Sequence, residues 1–93
     1  MKALHISARR WFDSQWGNTY FSAKAYVDGK CVDTIDFEYG YGDQCIAESW
    51  HNVKTILGID EKLCTFPSMY CRENGIIYTS DIADVQRKRD LKQ

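Results

Sequence analysis

TYFSAKAYVDGKCVDTIDFEYGYGDQCIAESWHNVKTIL, residues 19–57, decides the fold. Two runs rich in β-branched and aromatic residues, 19–27 and 30–39, flank Asp28-Gly29, a dipeptide suited to the positive φ angles of a hairpin turn. In the first run Phe21, Ala23, Ala25 and Val27 alternate with polar or amphipathic residues, and in the second Cys31, Ile35, Phe37 and Tyr39 do the same. Both apolar sets are odd-numbered. Bringing them to one face requires an odd-length loop, so the spacing predicts a three-residue connection, Val27-Asp28-Gly29, with Gly29 left-handed in a bulge. Asp33, the polar member of the odd set, is expected near the sheet's edge.

After Tyr39, two glycines in three positions, Gly40 and Gly42, predict a sharp turn. Asp43 then caps an amphipathic helix that Gly58 terminates. Its apolar stripe is Ile46, Trp50, Val53 and Leu57, widened by Ala47 and Ile56, while Gln44, Glu48, His51 and Thr55 share a wet face.

Outward from this stretch, Leu4, Ile6 and Ala8 alternate with His5, Ser7 and Arg9, which predicts a strand over 3–12 and a loop over 13–18. Residues 58–74, with the single proline Pro67, read as an irregular crossing. Asn74-Gly75 introduces a short strand, IIYT. Ser80 then caps a last helix, DIADVQRKRDL, whose acidic start and basic finish suit a helix dipole; a longer strand is the competing reading. The expected architecture is one α+β domain over residues 1–93. It is a three-stranded antiparallel sheet (β-β-β-α) packed on one amphipathic helix, with a short C-terminal strand and helix.

The 93 residues are 44% hydrophobic and 27% charged, enough to build one core and inconsistent with disorder. No apolar run approaches the roughly 18 residues of a membrane span. The stretch MKALHISARRWFD lacks an apolar h-region, so no secretory signal is read; the expected location is the cytoplasm, with thiols reduced. Cys31, Cys45, Cys64 and Cys71 form no CxxC pair, and His5 and His51 complete no ligand set, so free thiols and no metal or cofactor are expected. Charge is patterned. Residues 1–24 carry Lys2, Arg9, Arg10 and Lys24 against Asp13, whereas residues 28–61 carry eight acids against Lys30 and Lys54. Residues 62–93 are basic again through Arg87, Lys88 and Arg89. Basic ends around an acidic middle suit a protein partner better than the continuous basic surface that nucleic acid wants.

The segment over 19–57 resembles the β-β-β-α half of a double-stranded RNA-binding domain. It departs from that family where lysines would hold phosphates, since Gly42-Asp43-Gln44-Cys45 opens the helix here, and the family's first helix is missing. The pieces RRWFDSQWGNTYFSAKAYVDG, FEYGYGD and DVQRKRDL resemble small uncharacterised proteins of bacteriophages and prophages. That resemblance implies a protein that binds a host protein, as anti-CRISPR and other anti-defence inhibitors do.

The even-numbered sheet face is the candidate contact surface. It is expected to display Tyr20, Ser22, Lys24 and Tyr26 beside Val32, Thr34, Asp36 and Glu38, with His5, Ser7, Arg9 and Trp11 from the first strand. Arg9, Trp11, Trp16, Tyr20, Lys24, Tyr26, Asp36 and Glu38 are the candidate partner-binding residues, because Tyr, Trp and Arg anchor protein interfaces most often. The alternative is that the C-terminal segment packs over this face and the aromatics are a second core. Trp11, Phe12, Trp16 and Tyr20 either protrude around the first loop or fold back as a minicore. For chemistry, Cys45 and His51 face different ways on one helix, and Asp36 and Glu38 lie about 7 Å apart on one strand face. Charged strand faces look the same, so no catalytic residue is assigned. The second reading is nucleic-acid binding by Arg9, Arg10, Lys24 and Arg87-Lys88-Arg89, with stacking on Trp11, Tyr20 and Tyr26. An open edge strand would also allow a homodimer.

Overall fold

The computed structural model describes residues 1–60 and 62–93. Four strands, β1 (Ala3–Asp13), β2 (Asn18–Val27), β3 (Lys30–Tyr39) and β4 (Ile77–Val85), form a mixed sheet in the order β3-β2-β1-β4. β1 and β3 run antiparallel to β2, while β4 lies parallel to β1 on the far edge. Helix α1 (Gln44–Leu57) covers β2, β3 and β1, and α2 (Pro67–Glu73) covers β4. The fold is α+β, as the order of elements predicts.

The core lies between α1 and the face of the sheet that carries Leu4, Ile6, Ala8, Phe21, Ala23, Ala25 and Ile35, with Trp50 and Val53 opposite them. The alternation in β1 and β2 therefore reads correctly, because each apolar partner faces another across the ladder: Leu4 pairs with Val27, Ile6 with Ala25 and Ala8 with Ala23. Gly58 ends α1 in the left-handed conformation, at φ 69°. Asp43 stands at the start of α1 but makes no side-chain capping bond. The buried stripe of α1 is Ile46, Ser49, Trp50 and Val53, and Lys54 joins it. The Lys54 ammonium donates to the carbonyls of Leu63 and Cys64, both at 3.0 Å, and Trp50 Nε1 donates to Cys64 at 2.9 Å. These bonds hold the crossing segment against the helix, while Ile56 and Leu57 remain exposed.

The β2–β3 connection departs from the sequence expectation. Val27 pairs with Lys30, so the turn has two residues, Asp28 at φ 52° and Gly29 at φ 83°. Both positive angles belong to a type I′ turn, whose twist matches that of the strands. Asp28 tolerates the conformation and its carboxylate accepts from the N–H groups of Lys2 and Ala3 at 2.8 and 2.9 Å, which holds it below the usual carboxylate range. The face problem is solved instead by bulges in β3. One lies between Cys31 and Asp33, and a second between Ile35 and Glu38. Each adds a residue and reverses the alternation. Val32 thereby packs against the core, and Asp33 faces α1, where Asn52 donates to its carboxylate at 3.0 Å. Phe37 and Tyr39, expected inside, are turned out.

Two further expectations change. Residues 67–73, read as part of an irregular crossing, form α2. The C-terminal helix expected from Ser80 is replaced by the competing strand, which runs to Val85 and leaves only a 3₁₀ turn at Lys88–Leu91. Pairing with β1 runs in register along the whole length of β4 and satisfies the main-chain groups on that side, and Ile82 and Tyr78 pack against the core from it. No helix of the described residues is long and apolar enough to cross a membrane.

Candidate binding face

Arg9, which looks like a phosphate ligand in the sequence, is a clamp. Its guanidinium donates to the carbonyls of Asp90 and Lys92 at 3.0 and 2.8 Å, drawing the C-terminal segment across the outer face of the sheet. Leu91 is then buried, Ser22 donates its hydroxyl to the Leu91 carbonyl, and Gln93 donates to Ser7 and Ser22. Arg10 points to the other face. It grips Asp84 with two bonds of 2.8 and 3.0 Å and donates to the carbonyl of Gly42 at 3.0 Å, tying β4 to the loop before α1. Asp84 is held below the usual carboxylate range by that guanidinium, and the Arg10 pKa is raised by the same hydrogen bond. Two of the four arginines of the nucleic-acid reading, Arg9 and Arg10, thus have internal partners.

The C-terminal segment covers the middle of the outer face and leaves one end open. There β1 ends, β2 begins and β3 ends, bringing Trp11, Tyr20 and Tyr39 into register. The rings form a ladder. Trp11 stacks on Tyr20 at 5.9 Å, Tyr20 stacks on Phe37 at 4.7 Å, and Tyr39 meets Tyr20 edge-on at 5.7 Å. Lys88 extends the ladder, its ammonium 5.0 Å from the Phe37 ring centre. Phe37 and Tyr39 stand 45% and 57% exposed, and Trp16 and Tyr41 beside them are 72% and 71% exposed. The tip of the first loop therefore protrudes; Phe12 and Trp16 make no minicore. Gly40 shapes the turn beneath, since a Cβ there would meet the Gln44 and Phe21 side chains at 2.9 to 3.0 Å. Between the ladder and the 3₁₀ turn lies an open groove of about 810 Å³, lined by Asp36, Phe37, Lys88, Arg89, Leu91 and Lys92.

Of the candidate residues, Trp11, Trp16 and Tyr20 gather at this end, and Asp36 lines the groove. Lys24 lines a small depression under Leu91 and Lys92, at the middle of the face. Tyr26 lies at the opposite end, its ring 6.1 Å from that of His5. Glu38 is corrected: it pairs with Phe21 on the side of the sheet that α1 covers, because the second bulge reverses the alternation. Asp36 and Glu38 therefore do not share a face, which removes the carboxylate pair. Phe37 and Tyr39 are the contact candidates that alternation misplaces; Tyr41 and Lys88 join them from outside the strands.

Elsewhere on the outer face, Asp81 accepts from the Ser7 hydroxyl at 2.9 Å and lies 3.2 Å from His5 Nε2, while Thr79 is 2.7 Å from His5 Nδ1. Ser7 is bonded to the carboxylate and not to the imidazole, so His5 is not placed to take its proton. Burial raises the thiol pKa values of Cys45 and Cys71, which makes them poor nucleophiles, and all four cysteines are unpaired. Among the described residues no three His, Cys, Asp or Glu side chains converge on a point that would hold a metal ion. No protein-family model, no curated protein and no solved structure matches this chain.

Proposed function

We propose that this chain works by binding a protein partner through the aromatic end of its sheet. The observation that carries the reading is the second bulge of β3, which turns Phe37 and Tyr39 outward beside Trp11 and Tyr20, next to a groove with three cations and one acid. A fold that spends a register shift to expose aromatics is presenting anchors, and desolvated Tyr and Trp contribute most at protein interfaces. The groove's excess of positive charge selects a partner surface that offers an apolar side chain flanked by acidic residues. The ladder favours this over nucleic acid. Tyr20, the central ring, is stacked by both Trp11 and Phe37, whereas single-stranded bases need free π-faces to stack on. The wider setting, a phage-encoded inhibitor of a host defence complex such as CRISPR-Cas acting in the host cytoplasm, is taken from the resemblance to small phage proteins.

The test is a nuclease-treated capture from bacterial lysate with wild type, Tyr20→Ala, and a Phe37→Ala, Lys88→Glu double variant side by side. The reading expects one stoichiometric protein on the wild type, lost from both variants and only mildly weakened by salt. A protein captured equally by all three, or recovery of nucleic acid alone that is lost at moderate salt, overturns it.

A further inference from the structure

The second edge of the sheet differs in kind. Natural edge strands are blunted by bulges, prolines, lysines or short length. β4 has none of these: nine residues, Ile77–Val85, pair with β1 without a register shift and contain no proline, lysine or arginine. Its two carboxylates, the remaining deterrent, are turned to β1, Asp81 on Ser7 and His5 and Asp84 on Arg10. Ile77 N–H donates to the Lys2 carbonyl, so the odd-numbered residues of β4 spend their main-chain groups on β1. By alternation, Tyr78, Ser80, Ile82 and Asp84 present theirs to the open edge. Along it, Ile77 is 70% exposed, and Phe66, 43% exposed, lines one depression with Tyr78, Ser80 and Ile82.

The occupant follows from the side chains that antiparallel pairing would bring together. We infer that β4 pairs with β4 of a second copy, antiparallel and in a register centred on Ser80, joining two sheets across a two-fold axis. This register sets Tyr78 opposite Ile82, Ile77 opposite Ala83 and Thr79 opposite Asp81 of the other copy, so apolar meets apolar and no carboxylate faces another. A register centred on Asp81 sets two carboxylates face to face. One centred on Ile82 carries Ile77 beyond the strand's end at Val85, leaving it uncovered. The pairing does not rest on the proposed function, because the aromatic end lies toward β3.

The experiment is the molar mass of the full chain in solution from low to submillimolar concentration, for wild type and Ser80→Pro. The Ser80 N–H points away from β1, so proline there spares the protomer's ladder and removes a bond that only the dimer makes. Wild type is expected to reach twice the chain mass, and Ser80→Pro, with unchanged circular dichroism, to stay at one chain mass. Independently, Ser80→Cys in a Cys31→Ser background should cross-link on mild oxidation, since residues directly opposite lie about 5.5 Å apart between Cα atoms, within disulfide reach. Ile82→Cys should not. A wild type that stays monomeric overturns the inference, as does a dimer that persists in folded Ser80→Pro. If Ser80→Pro does not fold, the link at position 80, mapped by mass spectrometry, decides alone: its formation supports the pairing and its absence overturns it.

Discussion

The sheet's two edges show two uses of a strand. β3 is broken twice, and its bulges throw Phe37 and Tyr39 into solvent beside the Trp11–Tyr20 stack. β4 is unbroken and keeps its charged side chains on β1, leaving main-chain groups as its exposed feature. An irregular edge cannot template another strand but can aim side chains; a regular edge does the reverse. The two are linked, because the segment that leaves β4 crosses the outer face and forms the far wall of the groove beside β3.

That link can be broken most severely at Leu91. Leu91→Ala removes a buried side chain from beneath the C-terminal segment and is expected to cost about 2–3 kcal/mol in denaturant melts. Partner capture should fall with it while the β4 dimer persists; equal loss of both would mean that the edges are not separable. Next, Tyr20→Ala removes the ring that touches Trp11, Phe37 and Tyr39. It should cost about 1–2 kcal/mol of stability, from the aromatic pairs and their burial, together with partner binding. A stable variant that still binds would make the ladder an ornament of packing.

An acid titration separates the edges by charge. The pKa values of Asp84 and Asp28 are depressed in the fold, Asp84 by Arg10 and Asp28 by two main-chain N–H groups. A depressed carboxylate adds stability that is fully present above its unfolded pKa and is lost as pH falls through the folded one. Stability is therefore expected to decline below about pH 4. Asp84→Asn should flatten part of that decline, and hydrogen exchange should show the β4 amides opening earlier than in wild type. An unchanged acid profile would remove Arg10–Asp84 as the clasp of that edge. The smallest stability effect is expected at Trp16, whose removal should stay within about 0.5 kcal/mol because it is mostly in solvent. Its effect should appear in partner capture; an unaltered capture would confine the contact to the ladder and groove.

Much of the fold is legible in the chain. The alternation of Leu4, Ile6 and Ala8, the Asp28-Gly29 turn and the Ile46–Trp50–Val53 stripe ending at Gly58 each express a local rule: period two, positive φ, period 3.6. The site is legible in part. Trp11, Trp16 and Tyr20 stand out by residue type, but Phe37 and Tyr39 look like core in a strand of strict alternation. An incorrect three-residue loop accounts for the odd sets as well as bulges do, and no local signal separates the two.

By itself, the sequence determined the elements from Ala3 to Leu57, their order and the face that β1 and β2 bury, because these follow from neighbours a few residues apart. Only the tertiary structure decided the rest. DIADVQRKRDL has the charge order of a helix, yet its first residues are strand, since β1 offers a full ladder of main-chain partners and a place for Ile82 against the core. The bulges in β3 and the burial of Leu91 likewise arise from contacts between residues far apart in the chain. Arg9 and Arg10 show the same principle in charge: adjacent and basic in sequence, they point to opposite faces of β1 and bind the fold to itself.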